Sequence, residues 1–145
     1  MDKYYSLEFY FDERGFGDLN FLCGPDTRLT YLACSGSINA NGSLVNCITP
    51  GVYTMRELPV VTVEDGMSIP GHECRKWRLH DENGPTHLLI HLDAGLPGTK
   101  GCIGIKSHDP RGLDALWDLA AVAIESQGVV QLTAGLLVTP AAEAA

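Results

Sequence analysis

Apolar side chains at every second position constrain the fold of this chain more than any other feature of its sequence. Near the start, Tyr5, Leu7, Phe9 and Phe11 occupy alternate positions. Successive side chains of a β-strand point to opposite faces, so these residues predict a strand over residues 4–11 with one buried face. Further strands are predicted at 19–23, 29–34, 52–55, 60–63, 75–80, 87–92 and 129–138. The chain is therefore expected to be mainly β.

Residues that favour turns separate these strands. Residues 14–18, 24–26 and 81–84 are rich in glycine, proline and acidic residues and predict turns. Asn41-Gly42 is the strongest hairpin signal in the chain, and residues 34–43 around it predict an exposed loop. Residues 64–73 predict a second, longer loop.

One segment departs from the period of two and predicts a helix. The predicted helix begins at Asp109, a residue type that favours the N-cap, and Pro110 suits its first helical position. Gly128 is predicted to end it. The apolar face of the helix consists of Leu113, Leu116, Trp117, Ala120, Ala123 and Ile124.

The length of the chain indicates one domain. It has 145 residues, about the size of one domain, and shows no internal repeat or linker. We therefore expect a single domain over residues 1–138 and a mobile tail over 139–145.

The charge balance argues against several classes of partner. The chain has 18 acidic and 10 Lys or Arg residues, a net charge of −8. Binding to phosphates or anionic lipids requires basic surface, so we expect no nucleic-acid partner.

No stretch supplies the roughly 20 apolar residues of a membrane span, and the first residues lack the basic and apolar regions of a signal peptide. We expect a protein made in the cytoplasm without a signal peptide and without a membrane span.

The cysteines point to thiol chemistry rather than to disulfides. Their number is five, and no pair has CxxC spacing, so at least one free thiol is expected. His72, Glu73 and Cys74, together with other histidines, are possible zinc ligands, but two ligand pairs with standard spacing are missing. We therefore expect no metal and no cofactor. Cysteines other than Cys102 are predicted to be small core residues.

The segment from residue 87 to residue 105 carries the chemistry. A predicted strand ends near His91, a loop rich in glycine and proline follows, and Gly101-Cys102 opens the next strand. A cysteine nucleophile needs a base or a cation that favours its thiolate, and backbone amides that hold an oxyanion. His91, Gly101 and Cys102 have the residue types that meet these needs.

These residues resemble the L,D-transpeptidase (YkuD-like) family of cysteine enzymes that act on peptidoglycan. The family motif is a histidine on a strand, a variable loop, and Ser/Thr-His-Gly-Cys followed by an aliphatic residue. This chain has His91 and then Thr99-Lys100-Gly101-Cys102-Ile103. Residues 35–37 and 48–53 also look like family segments, and the helix and last strand fall where the family has them. The resemblance implies a β-sandwich or barrel with one C-terminal helix.

The resemblance also implies roles for individual residues. Cys102 would be the nucleophile, His91 the general base, and the amides of Gly101 and Cys102 the oxyanion hole. Lys100 stands where the family has histidine, and we expect its ammonium to favour the thiolate of Cys102. The residues themselves offer further substrate contacts: Thr99, His87, and Arg78 or Arg75, either of which can bind a substrate carboxylate.

The resemblance implies an acyl transferase or hydrolase that acts on peptidoglycan stem peptides through a thioester. The loop between His91 and Cys102 has ten residues, which is short, and Gly104 replaces a family Arg or Asn. These features look more like compact members among type VI secretion effectors and phage proteins. We then expect action in the periplasm or at the cell wall after delivery, with a delivery apparatus or an immunity protein as partner. The alternative is a non-catalytic structural or binding module of a phage or secretion apparatus.

Overall fold

A computed structural model describes residues 4–62, 74–93, 99–107 and 110–137. The first six strands are β1 (Tyr5–Phe11), β2 (Phe16–Cys23), β3 (Asp26–Ile38), β4 (Leu44–Val45), β5 (Gly51–Met55) and β6 (Val60–Thr62). They are followed by β7 (Cys74–Asp81), β8 (Gly84–Leu92), β9 (Thr99–Ile105), a 3₁₀ turn (Pro110–Leu113), the helix α1 (Asp114–Gln127) and β10 (Val130–Leu136). The predicted loop 64–73 and tail 139–145 lie outside the described residues.

Eight of the strands close into a barrel. Around it the order is β1, β2, β3, β9, β8, β7, β5 and β10, and β10 pairs again with β1. The β1–β10 and β8–β9 pairs are parallel and the other pairs antiparallel. Outside the ring, β4 pairs with β3 and β6 pairs with β7. The predicted mainly β fold with one C-terminal helix is confirmed, and its architecture is a barrel.

The core contains the inward faces of the barrel strands and the apolar face of α1. Leu7, Phe9 and Phe11 are almost fully buried, which confirms the predicted face of β1. Trp77 is completely buried and stacks on Phe21. The helix contributes Leu116, Trp117, Ala120 and Ala123, with Leu113 buried just before it and Ile124 packed against the same core. Because the core takes one face of each strand, the other face is left to form a site.

The helix begins later than the sequence predicts. The predicted N-cap Asp109 is outside the described residues; Pro110 begins a 3₁₀ turn, and α1 starts only at Asp114 without a side-chain cap. The hydroxyl of Tyr31 donates to the carbonyl of Gly112 at 3.2 Å, a tertiary contact that engages this turn. The predicted end is confirmed, since Gly128 is left-handed and its N–H donates to Ile124. Within the described ranges, no helix has the length and apolar composition needed to cross a membrane.

Strand β3 also continues further than predicted, through residues 35–38. Ser37 and Ile38 pair with β4, so the predicted loop is largely the end of a hairpin. The turn at Asn41-Gly42 is confirmed, with Gly42 left-handed at a φ of 79°. The extension is paired with segments distant in sequence: Gly36 pairs with Thr99 on β9, and the Ser35 N–H donates to the carbonyl of Gly15.

Candidate active site

The parallel pair β8 and β9 places His91 and Cys102 on one face of the barrel wall. Ile90 is in register with Ile103, and His91 with Gly104. Ile90 and Ile103 point into the core, so the residues next to them, His91 and Cys102, face outward. Cys102 is one diagonal step from His91, or about 8 Å between α-carbons from normal strand spacing and rise. The structure thus brings the predicted base and nucleophile to the same outer face of neighbouring strands.

The orientation of the His91 ring is fixed by a backbone contact. The residue is 3% exposed, and its Nδ1 lies 2.9 Å from the carbonyl oxygen of Leu92. A carbonyl can only accept, so Nδ1 carries the proton of the neutral ring and donates it to this oxygen. The lone pair is then on Nε2. Nε2 is buried, and in this tautomer it is the ring nitrogen that can accept a proton.

Cys102 is half-buried, and its environment favours the protonated thiol. Its Sγ lies 3.9 Å from the carbonyl oxygen of His87. Burial raises the pKa of the Cys102 thiol, while a hydrogen bond with the Leu89 backbone and the charge of Lys76 act in the lowering direction. Burial outweighs the two effects that favour the thiolate, so the net direction of the pKa shift is upward. A neutral thiol needs a base to remove its proton during attack.

Lys76 is a cation near Cys102 whose position the sequence does not reveal. It is directly in register with His91 on the neighbouring strand β7, and it faces outward because Trp77 faces the core. Its ammonium favours the Cys102 thiolate. The sequence assigned this role to Lys100, whose backbone lies in β9 and whose side chain is outside the description. The role of Lys100 stays a prediction.

We predict that alkylation of Cys102 has a pH midpoint above the ordinary thiol value of about 8.5. A raised pKa keeps the thiol protonated at neutral pH, so the rate should increase only as the pH rises through that higher midpoint. Lys76→Met should move the midpoint further upward, because it removes a charge that favours the thiolate. Iodoacetamide labelling followed by peptide mass mapping measures both effects. Cys47, another half-buried thiol, provides an internal reference for access. A midpoint well below 8.5 would contradict this prediction.

Gly101 has a structural role that the sequence only partly anticipated. Its φ is 76°, a left-handed conformation that favours glycine, and a Cβ there would lie 2.6 Å from Cδ2 of Leu88. Its N–H donates to the carbonyl oxygen of Asn46 at 2.6 Å. The Gly101 amide is therefore already engaged, which argues against its predicted part in an oxyanion hole. The part of the Cys102 amide in an oxyanion hole stays a prediction.

We predict that Gly101→Ala lowers the free energy of unfolding by about 1–3 kcal/mol, from left-handed strain and from displacement of Leu88. Urea denaturation measures this loss. Gly24→Ala is the matched control, because Gly24 is also left-handed but a Cβ there meets nothing within 4 Å. The difference between the two variants isolates the Leu88 contact. If Gly101→Ala were as mild as Gly51→Ala, where neither strain nor contact exists, this assignment would be wrong.

The predicted substrate contacts are placed as follows. His87 is exposed and shares the outer face with His91, whereas Arg78 is half-buried and donates to the carbonyl of Thr86. Arg78 is in register with Leu89 on β8, so it lies on the same face as Cys102. Thr99 pairs with Gly36 through its backbone, and its side chain is outside the description.

An open cleft of about 830 Å³ lies between the start of β5 and the β7–β8 hairpin. Its volume is within the range of small-molecule sites. His87 and Leu88 line it, and both also lie next to the Gly101-Cys102 pair. His91 and Cys102 are not among its lining residues, so the cleft is a space beside the thiol rather than around it. The other lining residues are Thr49, Gly51, Val52, Tyr53, Asp81, Glu82, Asn83, Pro85 and Thr86.

Three more side chains at this face were not identified as site residues from the sequence. Asp93 is 3% exposed, and its Oδ2 accepts from Lys106 Nζ at 3.4 Å and from Cys34 Sγ at 3.6 Å. The signal for Asp93 was present, since it lies two residues after His91 in an alternating strand. The residues around Cys34 in the sequence do not indicate a site. Cys34 is brought to Asp93 by the pairing of β3 with β9. Among the described residues, no group of three or more His, Cys, Asp or Glu has the arrangement of a metal site.

Comparisons with protein-family models, curated proteins and solved structures found no match for this chain. The resemblance to L,D-transpeptidases therefore depends on the motif residues themselves. The geometry around His91 and Cys102 is the ground on which a function is proposed.

Proposed function

We propose that this protein is a cysteine-dependent acyl transferase or hydrolase that acts on peptidoglycan stem peptides through a thioester. The observation that carries the proposal is the placement of His91 and Cys102 on one outer face of adjacent strands, with the His91 ring oriented by the Leu92 carbonyl. The motif of histidine, short loop and Gly-Cys-Ile supplies the substrate class by resemblance to the L,D-transpeptidases.

The reaction begins with a neutral thiol, because burial raises the pKa of Cys102. Sγ attacks an amide carbonyl carbon next to a diamino acid while the thiol proton moves to Nε2 of His91. The Cys102 amide stabilises the negative charge that develops on the carbonyl oxygen. The C–N bond then breaks, His91 returns the proton to the leaving amine, and a thioester remains. An acceptor amine or water resolves the thioester and regenerates the thiol.

The charges near the thiol suit a substrate with a carboxylate. Lys76 and Arg78 lie on the outer face of β7, although the chain as a whole has a net charge of −8. A guanidinium can bind a carboxylate with two hydrogen bonds.

The substrate lies outside the cytoplasmic membrane, so the proposal includes action in the periplasm or at the cell wall. Delivery by a secretion or phage apparatus, with an immunity protein as partner, belongs to the same proposal.

The second candidate is a non-catalytic module that has kept the fold and lost the reaction. One specific observation favours it: burial raises the pKa of the Cys102 thiol, whereas an activated cysteine has a lowered pKa. Lys100 and Gly104, where the family has other residues, favour it as well.

Incubation with purified peptidoglycan, followed by mass analysis of the released muropeptides, separates the two candidates. Hydrolysis shortens the stem peptide, whereas transfer joins a new amine to it, and either product supports the proposal. An unchanged muropeptide profile at high protein concentration, together with binding of the protein to the sacculus, would favour the non-catalytic module.

A further inference from the structure

A buried carboxylate joins the three strands around the candidate site. Asp93 directly follows β8, and its N–H donates to the carbonyl of Ile105 on β9 at 2.8 Å. Its Oδ2 accepts from Lys106, which follows β9, and from Cys34 on β3. The side chain of Asp93 is 5% exposed and that of Lys106 is 21% exposed. The proposed reaction has given no role to this group.

Stability alone is a weak explanation for a buried ion pair. The cost of removing two charges from water often cancels their attraction, and apolar residues of similar size can be equally stable in such places. A better supported use of buried polar pairs is to fix the register of two elements. The position of Asp93 and Lys106 suits that use.

Register matters here because β8 and β9 are parallel and no tight hairpin aligns them. A slip by one residue would turn Cys102 or His91 to the opposite face. Asp93 and Lys106 follow the last paired residues, Leu92 and Ile105, and they point outward like His91. In the observed register their charged groups lie 3.4 Å apart, so the ion pair favours the register that unites His91 and Cys102.

The pair also balances charge beside His91. Asp93 is two residues from His91 on the same face, or about 6.6 Å along the strand. The other titratable or charged side chains that face His91 from the described elements are Lys76 and Arg78 on β7, His87 on β8, Cys102 and Lys106 on or just after β9, and Cys34 on β3.

We propose that Asp93 and Lys106 are a positioning pair that holds β8 and β9 in the register of the site and sets the charge beside the His91 ring. The effect of the pair on the charge beside His91 is a property of the folded protein and is tested without turnover. The effect of the pair on catalysis rests on the proposed function, in which His91 is the base.

The test is an NMR titration of His91, whose ring signal is identified by its loss in His91→Asn. Lys106→Met leaves the Asp93 charge without its partner and should raise the His91 titration midpoint by about one pH unit. Asp93→Asn should lower it by a similar amount, and the double variant should return it close to the parent. Arg14→Met, which removes the exposed pair with Asp12, is the matched control and should leave His91 unchanged.

A merely stabilising role would lower the unfolding midpoint of each variant and leave the His91 titration of the folded protein unmoved, and that result would overturn the inference. Lys106→Arg keeps the charge and should behave as the parent. If Asp93→Asn does not fold, the comparison of Lys106→Met with Lys106→Arg still decides.

Activity provides the remaining readout. If the proposed function holds, Lys106→Met should lower kcat about 10- to 100-fold through misplacement of His91, with KM nearly unchanged. If the parent processes no peptide while the His91 midpoints move as expected, the proposed function fails and the positioning pair stands. An unchanged kcat in an active enzyme would overturn the positioning role.

Discussion

Replacement of Cys102 by alanine is expected to abolish the processing of muropeptides and to leave the fold intact. The reaction forms a covalent bond to Sγ, so no other group at the site substitutes for it. The side chain is half-buried on the outer face, outside the main core, so its loss should cost about 1 kcal/mol or less. Mass analysis of treated peptidoglycan measures the first effect, and urea denaturation measures the second.

Cys47→Ala is the matched control for this variant. Cys47 is also a half-buried free cysteine, and it packs against the core rather than beside His91. It should process peptidoglycan at the parental rate. Parental activity in Cys102→Ala would show that the thiol is not the nucleophile, and equal losses in both variants would point to a structural cause.

Replacement of His91 is expected to lower the rate by about 10²–10⁴-fold, the usual contribution of a general base. The effect should be strong because burial raises the pKa of Cys102, and the thiol then depends on a base. His91→Asn is preferred to alanine, since the amide can still donate to the Leu92 carbonyl but accepts no proton. Single-turnover measurements of thioester formation by mass spectrometry would follow the affected step.

His87→Ala is the comparison, because His87 shares the face of His91 but is exposed. Its rate should stay within a few-fold of the parent. Equal and small losses for the two histidines would remove His91 from the site. An unfolding midpoint close to that of the parent is required of His91→Asn before its rate is interpreted.

The sequence by itself determined the parts of this protein that depend on local periodicity and turn chemistry. The inward face of β1, the apolar face of α1 and its end at Gly128 followed from spacing and from one left-handed residue. His91 and Cys102 could also be chosen as candidate site residues from the sequence, because both lie within one strand–loop–strand segment. The face that each of them takes became clear only from the burial of the neighbouring Ile90 and Ile103.

Only the tertiary structure decided what surrounds these two residues. The closed barrel brings Lys76 into register with His91, Asn46 to the Gly101 amide, and Cys34 to Asp93, a partner 59 positions away. It also buries the Cys102 thiol enough to raise its pKa, which no local pattern of the sequence predicts. Periodicity states which face a side chain takes, but it does not state which strand lies beside it or in which register. Those contacts are set by strand pairing between distant segments, and they determine the electrostatics of the site.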